Sequence, residues 1–284
     1  MSACLTFEDY LPVAEALPST PRVLPRLLGL LSDPDSEIGQ IVDVICIDPG
    51  LTSKLLRACN SAFVGLPEPA GDVAEAVQRL GVSFIYNLAA TACGGTLFQS
   101  ATRPEAALRV WQLSVTSAFA ADMLAADLGL NPGMLFTAAL LQDVGKMVLA
   151  ERWQEAYWVL LEESTASPAE LIAKERETFG IDHGELGGRL LAHWKFPSPI
   201  ASSVWRHHVP QPGTPFEHET ACVAVSDAIA HTVMDSQRAG ALTLSADQET
   251  ALSLLRLTSD GLQPYLSRAQ ENFQFVNAMC QIGL

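Results

Sequence analysis

The apolar residues of this chain recur at helical spacing and nowhere alternate with the two-residue period of a half-buried strand, which restricts it to an all-α architecture. Ile38, Ile41, Val42 and Ile45 fall at i, i+3, i+4 and i+7, and Ser36 stands where a cap for their helix would be. Asp48-Pro49 stops that helix and starts the next, with aspartate as N-cap and proline at the first helical position, where a missing N–H costs nothing. Leu51, Leu55, Leu56, Ala58 and Cys59 form the apolar side of this second helix. Asp72 opens another, with Val73, Ala76, Val77 and Leu80 inward and Gly81 at its end. An Ala-rich helix is expected from about Pro104 to Asp127. The helix after it, starting at Asn131-Pro132, carries residues Leu140 to Lys146 within it. Further helices are expected over 153–163, from the Ser167-Pro168-Ala169-Glu170 capping pattern to Gly180, from Asp182 to Trp194, and from the Pro197 to Pro199 break to His207-His208. Helices over 216–234, 247–257 and 263–280 close the chain.

Length and charge narrow the reading. At ~150 residues per domain the chain corresponds to ~1.9 domains. The softest boundary, Gln99 to Pro104, divides it into an N-terminal helical bundle, 1–102, and a second bundle, 103–284. Hydrophobic residues make up 49% and charged residues 17%, too apolar for a disordered chain. Acidic residues outnumber basic ones by 32 to 17, a net charge of -15, which opposes direct binding to nucleic acid or to an anionic membrane surface. The uncharged run from Gly81 to Thr102 holds Ser83, Asn87, Thr91 and Gln99, so it reads as a buried helix rather than a membrane span. Glu8 and Asp9 stand where a signal peptide would be basic. None of the six cysteines is spaced C-x-x-C. Reduced thiols in a cytoplasmic protein are the expectation.

Four places set metal-ligand residue types into apolar helical stretches: Asp143, His183, the pair His207-His208, and Asp227. Carboxylate and neutral imidazole are the donors a divalent ion takes, and helical bundles build metal sites from side chains on facing helices. Taken singly, each is equally a helix cap, a surface group or a satisfied core residue. Asn60-Ser61-Ala62-Phe63 after a helix reads as termination and packing, or as a ligand or partner surface between the bundles. Trp111, Trp153, Trp158, Trp194 and Trp205 read as packing residues, since basic side chains are too sparse around them for base stacking.

Taken in order, several short stretches carry a resemblance. They are Ile47-Asp48-Pro49-Gly50-Leu51 with Leu55-Leu56-Arg57-Ala58-Cys59-Asn60-Ser61, then Ala76-Val77-Gln78-Arg79-Leu80-Gly81, then Leu140-Leu141-Gln142-Asp143-Val144-Gly145-Lys146, then Asp182-His183-Gly184-Glu185-Leu186-Gly187, then His207-His208-Val209-Pro210. Together they resemble the HDOD domain, an output-domain branch of the HD superfamily of metal-dependent phosphohydrolases. The resemblance implies an N-terminal helical bundle packed on a C-terminal HD-like bundle. It also implies where a catalytic relative would hold its core metal: a histidine on the long helix, at about Gln112 or Leu113 here, a His-Asp pair at Gln142-Asp143, and a later aspartate at Asp227. Of these ligands only Asp143 and Asp227 are present. His183, His207 and His208 match positions that give extra ligands in multi-metal relatives. An amide oxygen at Gln142 is a weak donor to zinc, iron or manganese. The site is therefore expected to be vestigial, with no cofactor beyond a weakly held divalent ion. Asp143 is expected to pair with Lys146, or to accept a hydrogen bond from His183 or His207. The resemblance implies a bacterial regulatory protein acting on signalling partners or answering a small-molecule or nucleotide effector. The alternative is a residual phosphohydrolase.

Overall fold

The computed structural model describes residues 5–17, 23–33, 35–98, 101–164, 168–235 and 244–283. Among them every regular element is helical. The first group comprises α1 (Phe7–Ala16), α2 (Val23–Ser32), α3 (Ile38–Cys46), α4 (Pro49–Cys59), α5 (Val73–Leu80) and α6 (Val82–Gly95). The second comprises α7 (Pro104–Leu128), α8 (Pro132–Leu140), α9 (Val144–Trp153), α10 (Glu155–Glu163), α11 (Pro168–Phe179), α12 (His183–His193), α13 (Ser198–Arg206), α14 (Glu217–Met234), α15 (Ala246–Leu254) and α16 (Gln263–Gly283).

Local chemistry sets most of these boundaries. Asp48 Oδ1 accepts from the Gly50 and Leu51 amides at 2.8 and 3.1 Å, and Pro49 occupies the first position of α4. Asp72 caps α5 by accepting from Glu75 N at 2.8 Å. Gly129, at φ 69°, ends α7 in the left-handed region that favours glycine. The cap expected at Ser36 is corrected. Ser36 N is spent in a turn to Asp33 O, and Glu37 is the N-cap of α3, its own amide donating to Gln40 Oε1 at 2.9 Å. Ser167 lies outside the described residues. The Pro197–Pro199 break is shorter than expected, since α13 begins at Ser198 with Pro199 in its first turn.

The larger correction concerns Leu140 to Lys146. The sequence shows no reason for a helix to stop there, yet α8 ends at Leu140 and α9 starts afresh at Val144. The new helix packs closely on α12. A Cβ on Gly145 would come within 2.0 Å of the His183 carbonyl oxygen, so the backbones of α9 and α12 meet at a distance only glycine permits.

Helix α7 runs through the centre and packs on α8, α14 and α16. Its fully buried alanines, among them Ala118, Ala120, Ala121 and Ala125, let these neighbours approach closely. Several elements pack across the boundary expected at 102/103, among them α6 on α8. Helix α1 packs on α9 and α12, with Tyr10 Oη donating to Phe179 O at 2.8 Å, and α16 packs on α4 and α6 as well as on α7. Asn60 clamps the following loop through two hydrogen bonds to Ala70, at 2.7 and 3.0 Å. That is the packing role of the segment; Phe63 is exposed. Trp111 and Trp158 are fully buried, whereas Trp205 is partly exposed beside the guanidinium groups of Arg189 and Arg206. Within the 81–102 run, residues 82–98 form α6 and a short 3₁₀ turn. Among the described residues one stretch, 132–153, is long and apolar enough to cross a membrane. It is broken between α8 and α9, and 94% of its apolar window lies buried in the protein.

Candidate functional site

The five candidate ligands converge where α9, α12, α13 and α14 meet. Asp143 is the N-cap residue of α9, and His183 opens α12 behind its own N-cap, Asp182. His207 is the C-cap of α13, with His208 next to it, and Asp227 sits on α14. Asp143, His183, His207 and Asp227 are all at most 3% exposed, while His208 is partly buried. The three histidines place one ring nitrogen each within 4.8 Å of the others. The His183 and His208 Nε2 atoms stand 2.9 Å apart, and the His207 and His208 rings lie 3.8 Å apart between centroids.

Each carboxylate is held by a protein donor. The Lys146 ammonium lies 2.9 Å from Asp143 Oδ1, and both groups are buried. The Gln142 amide donates to Asp227 Oδ1 at 2.7 Å, while its own oxygen faces Ser117 Oγ at 3.4 Å. Ser117 also bonds Ser226. Of the two positions expected for the long-helix ligand, Leu113 carries no donor atom. Gln112 turns away to donate to Asn277 at 3.0 Å, and Ser117, about a turn further along α7, is the residue facing Gln142. The ion pair Asp143–Lys146 is as expected. The hydrogen bond from His183 to Asp143 is not formed: His183 Nε2 stops 3.7 Å from Asp143 Oδ1.

His183 turns instead to Glu175 on α11. Glu175 Oε2 accepts from the His183 backbone amide at 2.9 Å and lies 2.7 Å from His183 Nδ1, and Glu175 Oε1 accepts from Tyr157 Oη at 2.7 Å. A carboxylate only accepts, so the Nδ1 atom carries the proton. Sequence reasoning missed Glu175. A signal existed: Leu171, Glu175 and Phe179 are buried at i, i+4 and i+8 of α11, so one acid sits on an apolar stripe.

Competing effects set the charge states. Burial alone would raise the Asp143 carboxyl, but Lys146, His183 and His207 outweigh it and hold it below its ordinary value. Burial likewise opposes the Lys146 ammonium, and Asp143 overcomes this to raise it. Glu175, also opposed by burial, is lowered by His183 and Tyr157. For His207 the balance runs the other way, since Asp143, Asp227 and the Val204 carbonyl offset burial only in part. Desolvation first, then the neighbouring imidazoles, lower His207 and push His208 well below the ordinary value. Of the candidate ligands, Asp143 and His207 each keep a buried atom without a hydrogen-bond partner, Oδ2 and Nε2. A cavity of about 200 Å³ opens onto His207, His208 and Asp227.

The HDOD domain family matches this chain over residues 17–210. The chain belongs to the HDOD family. An HDOD domain protein from Geobacter sulfurreducens superposes on it with a TM-score of 0.72 at 21% identity, covering 98% of this chain and 99% of that one. A candidate signal transduction protein from Marinobacter aquaeolei VT8 gives 0.76 at 20% identity, over 98% of this chain and 65% of that one. A candidate phosphohydrolase from Shewanella amazonensis SB2B gives 0.73 at 20% identity, over 97% and 98%. At these identities the likeness is one of fold. A protein of Treponema pallidum (strain Nichols) is 25% identical over 195 residues, 68% of this chain. The chain spans 37% of that relative's length.

The residues of this HDOD chain do not fit the core metal of HD enzymes. Gln142 stands where the resemblance calls for an imidazole ligand and instead donates its amide N–H to Asp227 Oδ1, while Lys146 pairs with Asp143 Oδ1. Each aspartate keeps its second oxygen, but the nitrogen donor of the core set is replaced by a weakly ligating amide.

Proposed function

We propose that this HDOD chain is a non-catalytic signal-transduction module that acts through protein partners or a small effector. The observation that carries this reading is Gln142, an amide where the resemblance calls for an imidazole ligand, which donates to Asp227 Oδ1 at 2.7 Å. Beside it Lys146 pairs with Asp143. A buried polar network specifies one arrangement of its helices, which suits a scaffold that presents a surface. The net charge of -15 favours protein partners over nucleic acid and membrane. A cytoplasmic location accords with the free cysteines, three of which are buried.

A second reading, a metal-dependent phosphohydrolase of reduced site, has one observation in its favour. His183, His207 and His208 are grouped at ligand spacing, and His207 Nε2 and Asp143 Oδ2 are unpartnered. Elemental analysis of the purified protein, together with hydrolysis of bis(p-nitrophenyl) phosphate in added manganese, separates the two. Substoichiometric metal and no turnover are expected. Stoichiometric iron, manganese or zinc, with turnover abolished in Asp143→Ala, would falsify the regulatory reading.

A further inference from the structure

The cavity beside the histidines has charges of both signs in its lining. At about 200 Å³ it lies between α11, the end of α13, α14 and the start of α15, and it exceeds the ~150 Å³ that accommodates a benzene in an apolar protein interior. Helix α11 presents Ala169, Ile172, Ala173 and Arg176 to it, on successive turns of one face. Arg176 Nε is engaged with Asp182 Oδ2 at 2.7 Å. The two Nη groups have no partner among the described residues, and the side chain is 59% exposed, so they stand at the open side of the cavity.

The carboxylates come from other elements. Helix α14 faces the cavity with Ala224 and, a turn further on, Asp227. Gln142 takes one Asp227 oxygen; the other is 3.8 Å from His231, beyond hydrogen-bond distance. Asp227 is 3% exposed and marks the inner end. Asp247, at the start of α15, adds a partly buried carboxylate that makes no ion pair with a described residue. Beside it the Ser245 amide donates to Gln248 Oε1 and the Gln248 amide to Ser245 Oγ, which leaves the hydroxyl hydrogen and the side-chain N–H groups as neutral donors. No ion pair joins Arg176 to Asp227 or to Asp247. Opposite charges thus share one cavity without neutralising each other.

We infer that this cavity is the effector site of the module and that it takes a zwitterion, an amino acid with an aliphatic side chain of about leucine size. The inference rests on the regulatory reading above and adds the class of ligand. The ammonium turns inward to Asp227 and Asp247, the carboxylate outward to the Arg176 Nη groups, and the aliphatic part lies against Ile172, Ala173 and Val209. A simple cation would bring its charge against the guanidinium. A phosphate or a simple carboxylate would bring its oxygens against Asp227. Each leaves one charge of the lining opposed, which is how a site rejects a wrong ligand.

Leucine, isoamylamine and 4-methylpentanoate share a branched alkyl body and carry both charges, the cation alone and the anion alone. Calorimetric titration of each into the full chain, with a chelator present to keep metal off the histidines, should give saturable one-to-one binding of leucine. It should bind about tenfold or more tighter than either analogue. Arg176→Gln and Asp247→Asn should each weaken leucine about threefold, the effect of one partly exposed charge. Ala173→Phe should abolish its binding by filling the cavity, with an unchanged circular dichroism spectrum. Either analogue binding as tightly as leucine overturns the inference. So does leucine that fails to bind, or that binds Arg176→Gln, Asp247→Asn and Ala173→Phe as it binds the parent chain. The metal and turnover assays bear on the regulatory reading separately: a metal-free, inactive protein that ignores leucine keeps that reading and removes this one.

Discussion

Between α2 and α6 the buried polar side chains among the described residues are Asn87 and Thr91. Between α7 and α14 they include Gln142, Asp143, Lys146, Glu175, His183, His207 and Asp227. Both regions bury their apolar stripes in one continuous core, so burial of hydrophobic area does not distinguish them. Charge does. The first region is held by packing and by caps at its helix ends. The second places ionised groups where water is excluded, and each charge there depends on a named partner. Damage to the first should therefore be graded and insensitive to pH, and damage to the second abrupt and pH-dependent.

The largest effect is expected from Lys146→Ala. It strands the Asp143 carboxylate in the interior, which costs about 3–5 kcal/mol. Urea unfolding should register that loss, and Lys146→Met combined with Asp143→Asn should recover most of it. Equal stability of the single and double variants would remove the ion pair from the account. Gly145→Ala comes next, at about 3 kcal/mol, the upper end of ordinary overpacking, because the new methyl meets backbone rather than a movable side chain. A thermal melt like that of the parent would show that α9 and α12 can separate without cost.

A smaller effect follows from titration. His207 and His208 have folded values below their ordinary 6.5. The unfolded chain therefore binds their protons first, and their contribution, complete above about pH 6.5, declines as pH falls below it. Asp143 and Glu175 are depressed below 3.8 and 4.5, so their contribution is present above those values and is lost as pH falls through the folded ones. Denaturant midpoints should decline from neutral pH downward, and His208→Gln should flatten the upper part of the profile. A wild-type profile flat from about pH 8 to pH 5 would contradict the depressed histidines. The smallest effect belongs to the first region. Asp48→Ala removes two amide hydrogen bonds at the start of α4 and should cost ~1 kcal/mol, equally at every pH where the aspartate is ionised.

What could be read in advance divides along the same line. Asp48, Asp72 and Gly129 act on residues within a turn or so, and their roles are visible in the sequence. Gln142 and Asp227 are 85 positions apart, and no periodicity joins them. The interruption after Leu140 is hidden in the sequence because apolar residues continue through it. Ser117 escaped because a small hydroxyl on an Ala-rich helix looks like one more small packing residue. Glu175 was legible only as an acid out of place on an apolar stripe. The family resemblance supplied the positions of Asp143, His183, His207, His208 and Asp227, and the structure supplies the partners that hold them.

The docking of Tyr10 on the Phe179 carbonyl has a consequence for how the protein is made. At roughly 5–20 residues per second, a ribosome needs on the order of ten to thirty seconds to travel from the end of α1 to the end of α11. For that interval the first helix has been synthesised but lacks its resting place. Helices α4 and α6 wait longer, until α16 emerges to cover them. Folding during synthesis cannot complete the first region before the second exists, so the nascent chain passes through a long stage with apolar helix faces uncovered. That stage, rather than the finished fold, is where a chaperone would be needed.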